Sequence, residues 1–196
     1  MKETETVEEL LKPVMQEYSD NELIDLFKQG ENSNYAFNLL VKKYQEKIYW
    51  HIRKIVINHE DADDVAQNTF IKIYKNLNNF RKDSQLFTWI YRIATNEAIS
   101  FIKSKKRRLF LPIVDVEKGL ANKLTDDPYF DGDELNLKLQ QAVLKLPQKQ
   151  RLIFNMKYFD ELKYKEIADI LKTSTGALKA SYHHAVKKIE KFMAED

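Results

Sequence analysis

Apolar residues recur at three- and four-residue steps along most of this chain, and residues that interrupt helices are scarce: 196 residues include four glycines and four prolines. A helix interior tolerates neither, since glycine costs about 1 kcal/mol and proline about 3 kcal/mol against alanine. Their scarcity points to an all-α fold. The longest stripe runs from about Ser33 to Asn58, where Phe37, Leu40, Tyr44, Ile48, Ile52, Ile55 and Val56 share one helical face. Before it, Ser19 is followed three residues on by Glu22, a reciprocal capping arrangement; Leu23, Ile24 and Phe27 continue that helix until Gly30 stops it. A third helix begins after His59, with Asp61, Asp63 and Asp64 in its first turn, and carries Val65, Phe70, Ile73, Tyr74 and Leu77. Residues 78–83 read as a loop. Ser84 then caps a fourth helix with Phe87, Ile90, Ala94, Ala98 and Phe101 on one face.

From Leu109 to about Gly132 no period persists, and Pro112, Gly119, Pro128 and Gly132 punctuate the stretch. It is longer than a compact domain normally needs between elements, so the expected organisation is two helical domains joined by a flexible linker. The expected boundaries are a tail at 1–18, a first domain at 19–108, a linker at 109–132 and a second domain at 133–196. In the second domain Leu135, Leu139, Val143 and Leu146 make a helix that Pro147 ends, and 148–159 makes another. Residues 164–171 form a short helix that breaks at Lys172, Thr173 and Ser174. A last helix starts at Thr175 and Gly176 and carries Lys179, Ser181, His183, His184, Lys187 and Lys188. Such a pair is a helix-turn-helix, whose second helix lies in the major groove of DNA. Leu178, Ala185 and Ile189 face inward by spacing, with Tyr182 beside them. The second domain is therefore expected to be a four-helix unit.

The net charge of +2 averages unlike blocks. Acids prevail before Glu31 and between Asp115 and Glu134, whereas Lys103, Lys105, Lys106, Arg107 and Arg108 stand together without an acid. Local blocks decide contact with a polyanion. No cysteine occurs, which excludes disulfides and thiolate metal sites and suits a reducing cytoplasm. The acidic start has no apolar core of a signal peptide, and no apolar run approaches the ~18 residues of a membrane helix. A soluble, cytoplasmic protein without membrane insertion is expected. No glycine-rich phosphate loop occurs. His51, His59, His183 and His184 have no partners at a zinc spacing, so a surface or DNA-facing place is expected for them, and no metal or cofactor. The expectation is a protein that reads nucleic acid and performs no chemistry.

Taken in order, residues 59–77, 78–108, 146–171 and 174–188 resemble bacterial RNA polymerase sigma factors of the two-domain, extracytoplasmic-function group. The resemblance covers roughly 19–108 and 133–193. It implies that the third helix docks on the clamp coiled coil of the largest subunit of core RNA polymerase. Asp61, Asp63, Asp64, Gln67 and Phe70 stand where the group's docking pattern stands, and Phe70 and Tyr74 would be apolar anchors. Acids at a helix start also suit its dipole, and Phe70 also suits a core. The loop and fourth helix would capture the melted minus-ten strand. Asn79, Phe80, Arg81, Lys82, Ser84 and Gln85 lie in the loop, and Thr88, Trp89, Tyr91, Arg92 and Asn96 on the helix. Stacking a flipped base on an aromatic or guanidinium plane contributes about 1–3 kcal/mol. Phe87 and Ile90 lie on the core stripe, and Trp89 is open between core and stacking. Lys103, Lys105 and Lys106 would follow phosphates.

In the last helix the resemblance assigns Thr175, Gly176, Ala177, Lys179, Ala180, Ser181, His184 and Lys187 to the minus-thirty-five element. Two departures stand out. Lys172 occupies a turn position where relatives often carry glycine. Ser181 and His184 replace frequent arginines, which removes bidentate guanine contacts. The implied function is binding core polymerase, recognising and melting promoter DNA, and starting transcription. Melting about ten base pairs costs on the order of 10 kcal/mol at ~1.4 kcal/mol per step, so a larger machine must hold the DNA. Relatives are often restrained by an anti-sigma factor, and the linker length permits such clamping. The competing reading is a stand-alone helix-turn-helix regulator with a helical sensor domain.

Overall fold

The computed structural model describes residues 18–109 and 134–194, so the expected tail and linker fall almost wholly outside the described residues. Eight α-helices follow one another, with no strand among the described residues: α1 (Asp20–Lys28), α2 (Ser33–Val56), α3 (His59–Asn76), α4 (Leu86–Leu109), α5 (Glu134–Leu144), α6 (Gln148–Phe154), α7 (Tyr164–Leu171) and α8 (Thr175–Ala194). A 3-10 turn, Leu77–Asn79, closes α3, and a π-helical turn, Asn155–Phe159, extends α6.

The first four helices pack around α2, which meets α1, α3 and α4. The stripe read from the sequence is the one buried: Leu40, Ile48 and Ile52 of α2 meet Ile73 and Leu77 from α3 and its 3-10 turn, and Ile90, Ala94 and Ala98 of α4. Phe37 of that stripe is only half-buried. The helix starts follow local chemistry. Glu22 N donates to Ser19 Oγ at 3.3 Å while Ser19 N donates to the Glu22 carboxylate at 2.7 Å. Asn58 Oδ1 accepts from Asp61 N at 2.9 Å and opens α3. Just before it, Ile57 turns the chain with φ 69°, a left-handed conformation that a β-branched residue rarely adopts. Its side chain is buried, so packing holds the strained backbone in place. The expected cap Ser84 falls outside α4. The Gln85 carbonyl accepts from Trp89 N at 3.2 Å, and the helix begins at Leu86.

In the C-terminal half, α5, α6 and α8 enclose Ala142, Val143, Leu146, Phe154, Ala185 and Ile189. The single helix expected over 148–159 changes character at Asn155. Asp160 N reaches back five residues to the Asn155 carbonyl at 3.0 Å, so the last turn holds one residue more than an α turn. Helix α7 ends in a Schellman turn: Thr173 N donates to the Ala168 carbonyl at 3.2 Å, and Lys172 takes the left-handed position at φ 50°, ψ 51°. The sequence departure at Lys172 therefore occupies the place that glycine fills most cheaply.

The two groups of helices are set against each other. Helix α7 packs on α4, and the π turn meets α2. Leu152, Ile153, Met156, Leu162, Ile167, Ile170 and Leu178 join the same apolar cluster as the core of the first four helices.

Candidate polymerase and nucleic-acid interfaces

On α3, Asp64 and Gln67 are exposed, and so is Asp63, whose carboxylate lies 3.5 Å from His59 Nε2. Asp61 is half-buried and pairs with Lys105 of α4. Phe70 is half-buried in the bundle. Tyr74 is 41% exposed; its ring sits edge-on to Phe27 and Phe37 at 5.4 and 4.9 Å, and its hydroxyl donates to Asn34 Oδ1 at 3.1 Å. Sequence reasoning missed Ile71, an isoleucine 45% exposed one helical turn beyond Gln67. Asp64, Gln67, Ile71 and Tyr74 form one outward stripe at three- and four-residue steps. Counting forward from Gln67 was the available signal.

The loop before α4 departs from expectation at one position. Asn79, Arg81, Lys82 and Gln85 are exposed and Ser84 half-buried, but Phe80 is buried. Its ring lies 5.1 Å from that of Trp89, and its carbonyl accepts from Lys28 Nζ at 2.8 Å. The aromatic ring seals the end of the bundle and is not presented to a base. Half-buried Trp89 is its packing partner. Lys82, at φ 62°, pairs with Asp25 at 2.7 Å. On α4, Thr88 is also buried, contrary to its expected role in base contact, whereas Asn96 is exposed. Arg92 donates through Nη2 to the Asp169 carbonyl of α7 at 2.9 Å. Lys103, Arg107 and Arg108 are exposed; Lys105 is exposed but engaged with Asp61, and the Lys106 side chain lies outside the described part.

Helix α8 is organised as its sequence suggests. Leu178, Ala185 and Ile189 are buried, Tyr182 is half-buried, and Ser174 Oγ caps the helix by accepting from Ala177 N at 3.2 Å. Thr175, Gly176, Ala177, Lys179, Ala180, His184 and Lys187 are exposed, with Ser181 half-buried. A Cβ built on Gly176 would meet nothing within 4 Å, so no contact inside the chain requires a glycine there.

The chain also contains a polar junction that the sequence did not announce. His51, expected at the surface, is 1% exposed. Its Nδ1 lies 2.7 Å from Asp160 Oδ2, and its Nε2 lies 2.9 Å from Thr95 Oγ1. The Thr95 hydroxyl also lies 2.7 Å from the Tyr91 carbonyl. A carboxylate only accepts. His51 therefore donates to Asp160 through Nδ1. Lys54 Nζ completes the set 2.6 Å from Asp160 Oδ1. The Asp160 side chain is 3% exposed. Burial pushes its carboxyl up, but the hydrogen bond and charge of His51, with Lys54, outweigh burial and hold it below the ordinary carboxylate range. Asn155 Nδ2 donates to the Lys54 carbonyl at 3.2 Å beside this cluster. The partners stand 109 and 106 residues apart in sequence.

These elements match known proteins. Residues 40–108 match the family model "Sigma-70 region 2", and residues 136–189 match "Sigma-70, region 4". The chain is 32% identical over 188 residues to RNA polymerase sigma-H factor of Pseudomonas aeruginosa, covering 88% of this chain and 92% of that protein. It is 35% identical over 172 residues to ECF RNA polymerase sigma factor SigW of Bacillus subtilis, covering 84% and 91%. Among solved structures, CnrH in complex with the cytosolic domain of CnrY matches with TM-score 0.67 at 21% identity, over 90% of this chain and 98% of that one. The sigma factor RpoE from Bartonella quintana, in complex with the anti-sigma factor NepR, matches with TM-score 0.63 at 17% identity, over 82% and 98%. The chain belongs to the sigma-70 family of RNA polymerase sigma factors, in its extracytoplasmic-function group.

Proposed function

We propose that this chain brings core RNA polymerase to promoters through two units, region 2 at 19–108 and region 4 at 133–196, with 109–132 between them. As a sigma factor it binds core polymerase and promoter DNA and takes part in initiation, and members of its family form complexes with anti-sigma factors. We extend the family's non-catalytic character and a cytoplasmic place to this chain. No helix among the described residues is long and apolar enough to cross a membrane.

One observation carries the residue assignment. The outward stripe of α3 and the outward face of α8 are polar or sparsely apolar surfaces on helices whose opposite faces are fully buried. Asp63, Asp64, Gln67, Ile71 and Tyr74 are assigned to core polymerase. Asn79, Arg81, Gln85, Asn96 and Lys103 are assigned to the minus-ten strand, and Arg92 joins them once it leaves Asp169. Thr175, Gly176, Ala177, Lys179, Ala180, Ser181, His184 and Lys187 are assigned to the minus-thirty-five element. With serine and histidine at 181 and 184, α8 offers single hydrogen bonds where arginine would offer two.

The test is transcription in vitro from genomic promoter fragments with purified core enzyme. The reading expects transcripts that depend on this chain and map to a two-element promoter. Tight binding to intact duplex by the chain alone, with no retention on core enzyme, would favour the stand-alone regulator.

A further inference from the structure

The closed arrangement conflicts with the geometry of the task. A compact body of roughly 150 residues has a radius of gyration of about 15 Å, hence a width of about 40 Å. Two promoter elements about 25 base pairs apart are separated by about 85 Å at 3.4 Å per step. Helices α4 and α8 cannot reach both elements while their units remain packed together. Residues 110–133 supply 24 residues of chain between the units, which can reach about 80 Å at most.

The closed state is also specific in what it covers. Arg92 gives its guanidinium proton to the Asp169 carbonyl, one of the carbonyls left unpaired at the end of α7, where the helix dipole is negative. A residue expected to meet the melted strand is thus withheld. Apolar packing of Ile167 and Ile170 with the bundle core supplies adhesion without direction. Direction comes from the polar junction. Asp160 fits only where His51 and Lys54 of α2 both present protons, and Thr95 of α4 holds the far side of His51. Lys54 is also held over the Phe159 ring at 5.4 Å, and Glu46, Lys47 and Glu161 line the adjoining groove.

We propose that Asp160, seated between His51 and Lys54, is an internal latch that holds the helix-turn-helix unit over the DNA-facing side of α4, and that the free chain must release it to span a promoter. The proposal rests on the promoter-recognition reading for its purpose, but its physical content is a closed free chain. Opening releases Arg92 together with the apolar strip beneath α7. Core polymerase favours opening by holding the two units apart.

The chain contains no cysteine, so a labelled pair can be introduced cleanly at two exposed positions, Gln45→Cys and Glu190→Cys. Single-molecule energy transfer in the full chain then reports closure. The unmodified latch gives one dominant high-transfer population. Asp160→Asn and His51→Gln each raise the low-transfer fraction at least tenfold. Arg92→Ala, which leaves the buried junction untouched, raises it about threefold. Glu97→Gln, which breaks a Lys72 pair inside the first bundle, leaves the distribution as it was. Adding core polymerase to the unmodified chain converts high transfer to low. A low-transfer population already dominant without substitution, or an unchanged distribution in both Asp160→Asn and Arg92→Ala, overturns the latch. Failure of every version to bind core polymerase overturns the promoter-recognition reading, while the free-chain distributions still decide closure.

Discussion

Replacing Lys172 with glycine should stabilise this protein, although lysine is the better helix former. Lys172 sits in the left-handed position of the Schellman turn, φ 50° and ψ 51°, where an L side chain crowds its own carbonyl at about 1–2 kcal/mol. Glycine removes that cost but brings a more flexible unfolded chain, which takes back about 0.5–1 kcal/mol. The net gain is therefore about 0.5–1 kcal/mol. The Lys172 side chain is exposed, and none of the ion pairs or side-chain hydrogen bonds found among the described residues involves it, so little is lost with it. For a chain of this size 1 kcal/mol moves Tm by about 2–4 °C, so a rise of about 1–4 °C is expected. Urea unfolding should show a higher midpoint at constant slope. Lys172→Ala is the informative control, because it removes the side chain but keeps the Cβ and hence the strain. A glycine variant no more stable than the alanine variant refutes the reasoning, since the two differ in the backbone cost alone.

The Asp160 carboxyl is held below its ordinary value by His51 and Lys54, so its contribution is fully present above pH ~4 and is lost as pH falls through its lowered folded value. Closure followed by energy transfer should therefore fail below pH ~4, and Asp160→Asn should remove the part of that response that the latch supplies. Asp64→Asn combined with Gln67→Ala should weaken binding to core polymerase by about tenfold to a hundredfold, as expected for interface anchors of ~1.4–2.8 kcal/mol, with unchanged thermal unfolding; equal binding by surface plasmon resonance removes α3 from the interface. Gly176→Ala should raise Tm slightly, because a methyl group there meets open space and alanine favours a helix by about 1 kcal/mol. The same change should lower minus-thirty-five duplex affinity about tenfold in a gel-shift titration if DNA approaches the backbone at that point, and unchanged affinity rules that approach out.

The helices and the faces they bury were legible because they are local properties. The stripe on α2, the capping box at Ser19 and the inward set Leu178, Ala185 and Ile189 follow from spacing alone. What failed depended on partners distant in sequence. Phe80 lies in a polar loop and reads as an exposed aromatic, yet Trp89 and the end of the bundle receive it. His51 has no neighbour in sequence that explains it, because its explanation stands 109 residues away. Arg92 carries the right chemistry for nucleic acid and is turned instead to a carbonyl at a helix end. A single sequence states which faces are sticky but not which sticky faces meet. The change from α to π hydrogen bonding at Asn155 is equally silent, since no residue type demands it.

That π turn has a mechanical meaning. One surplus residue in a helix rotates everything beyond it by about 100°. Removing a residue from 155–159 would swing Asp160 away from α2 by more than a quarter turn, and would turn α7 and α8 with it. The same turn therefore sets both the closure of the molecule and the seat of α8 on α6. A single-residue insertion or deletion at this point would cost the molecule its closure and its small core together, without touching a residue assigned to polymerase or DNA.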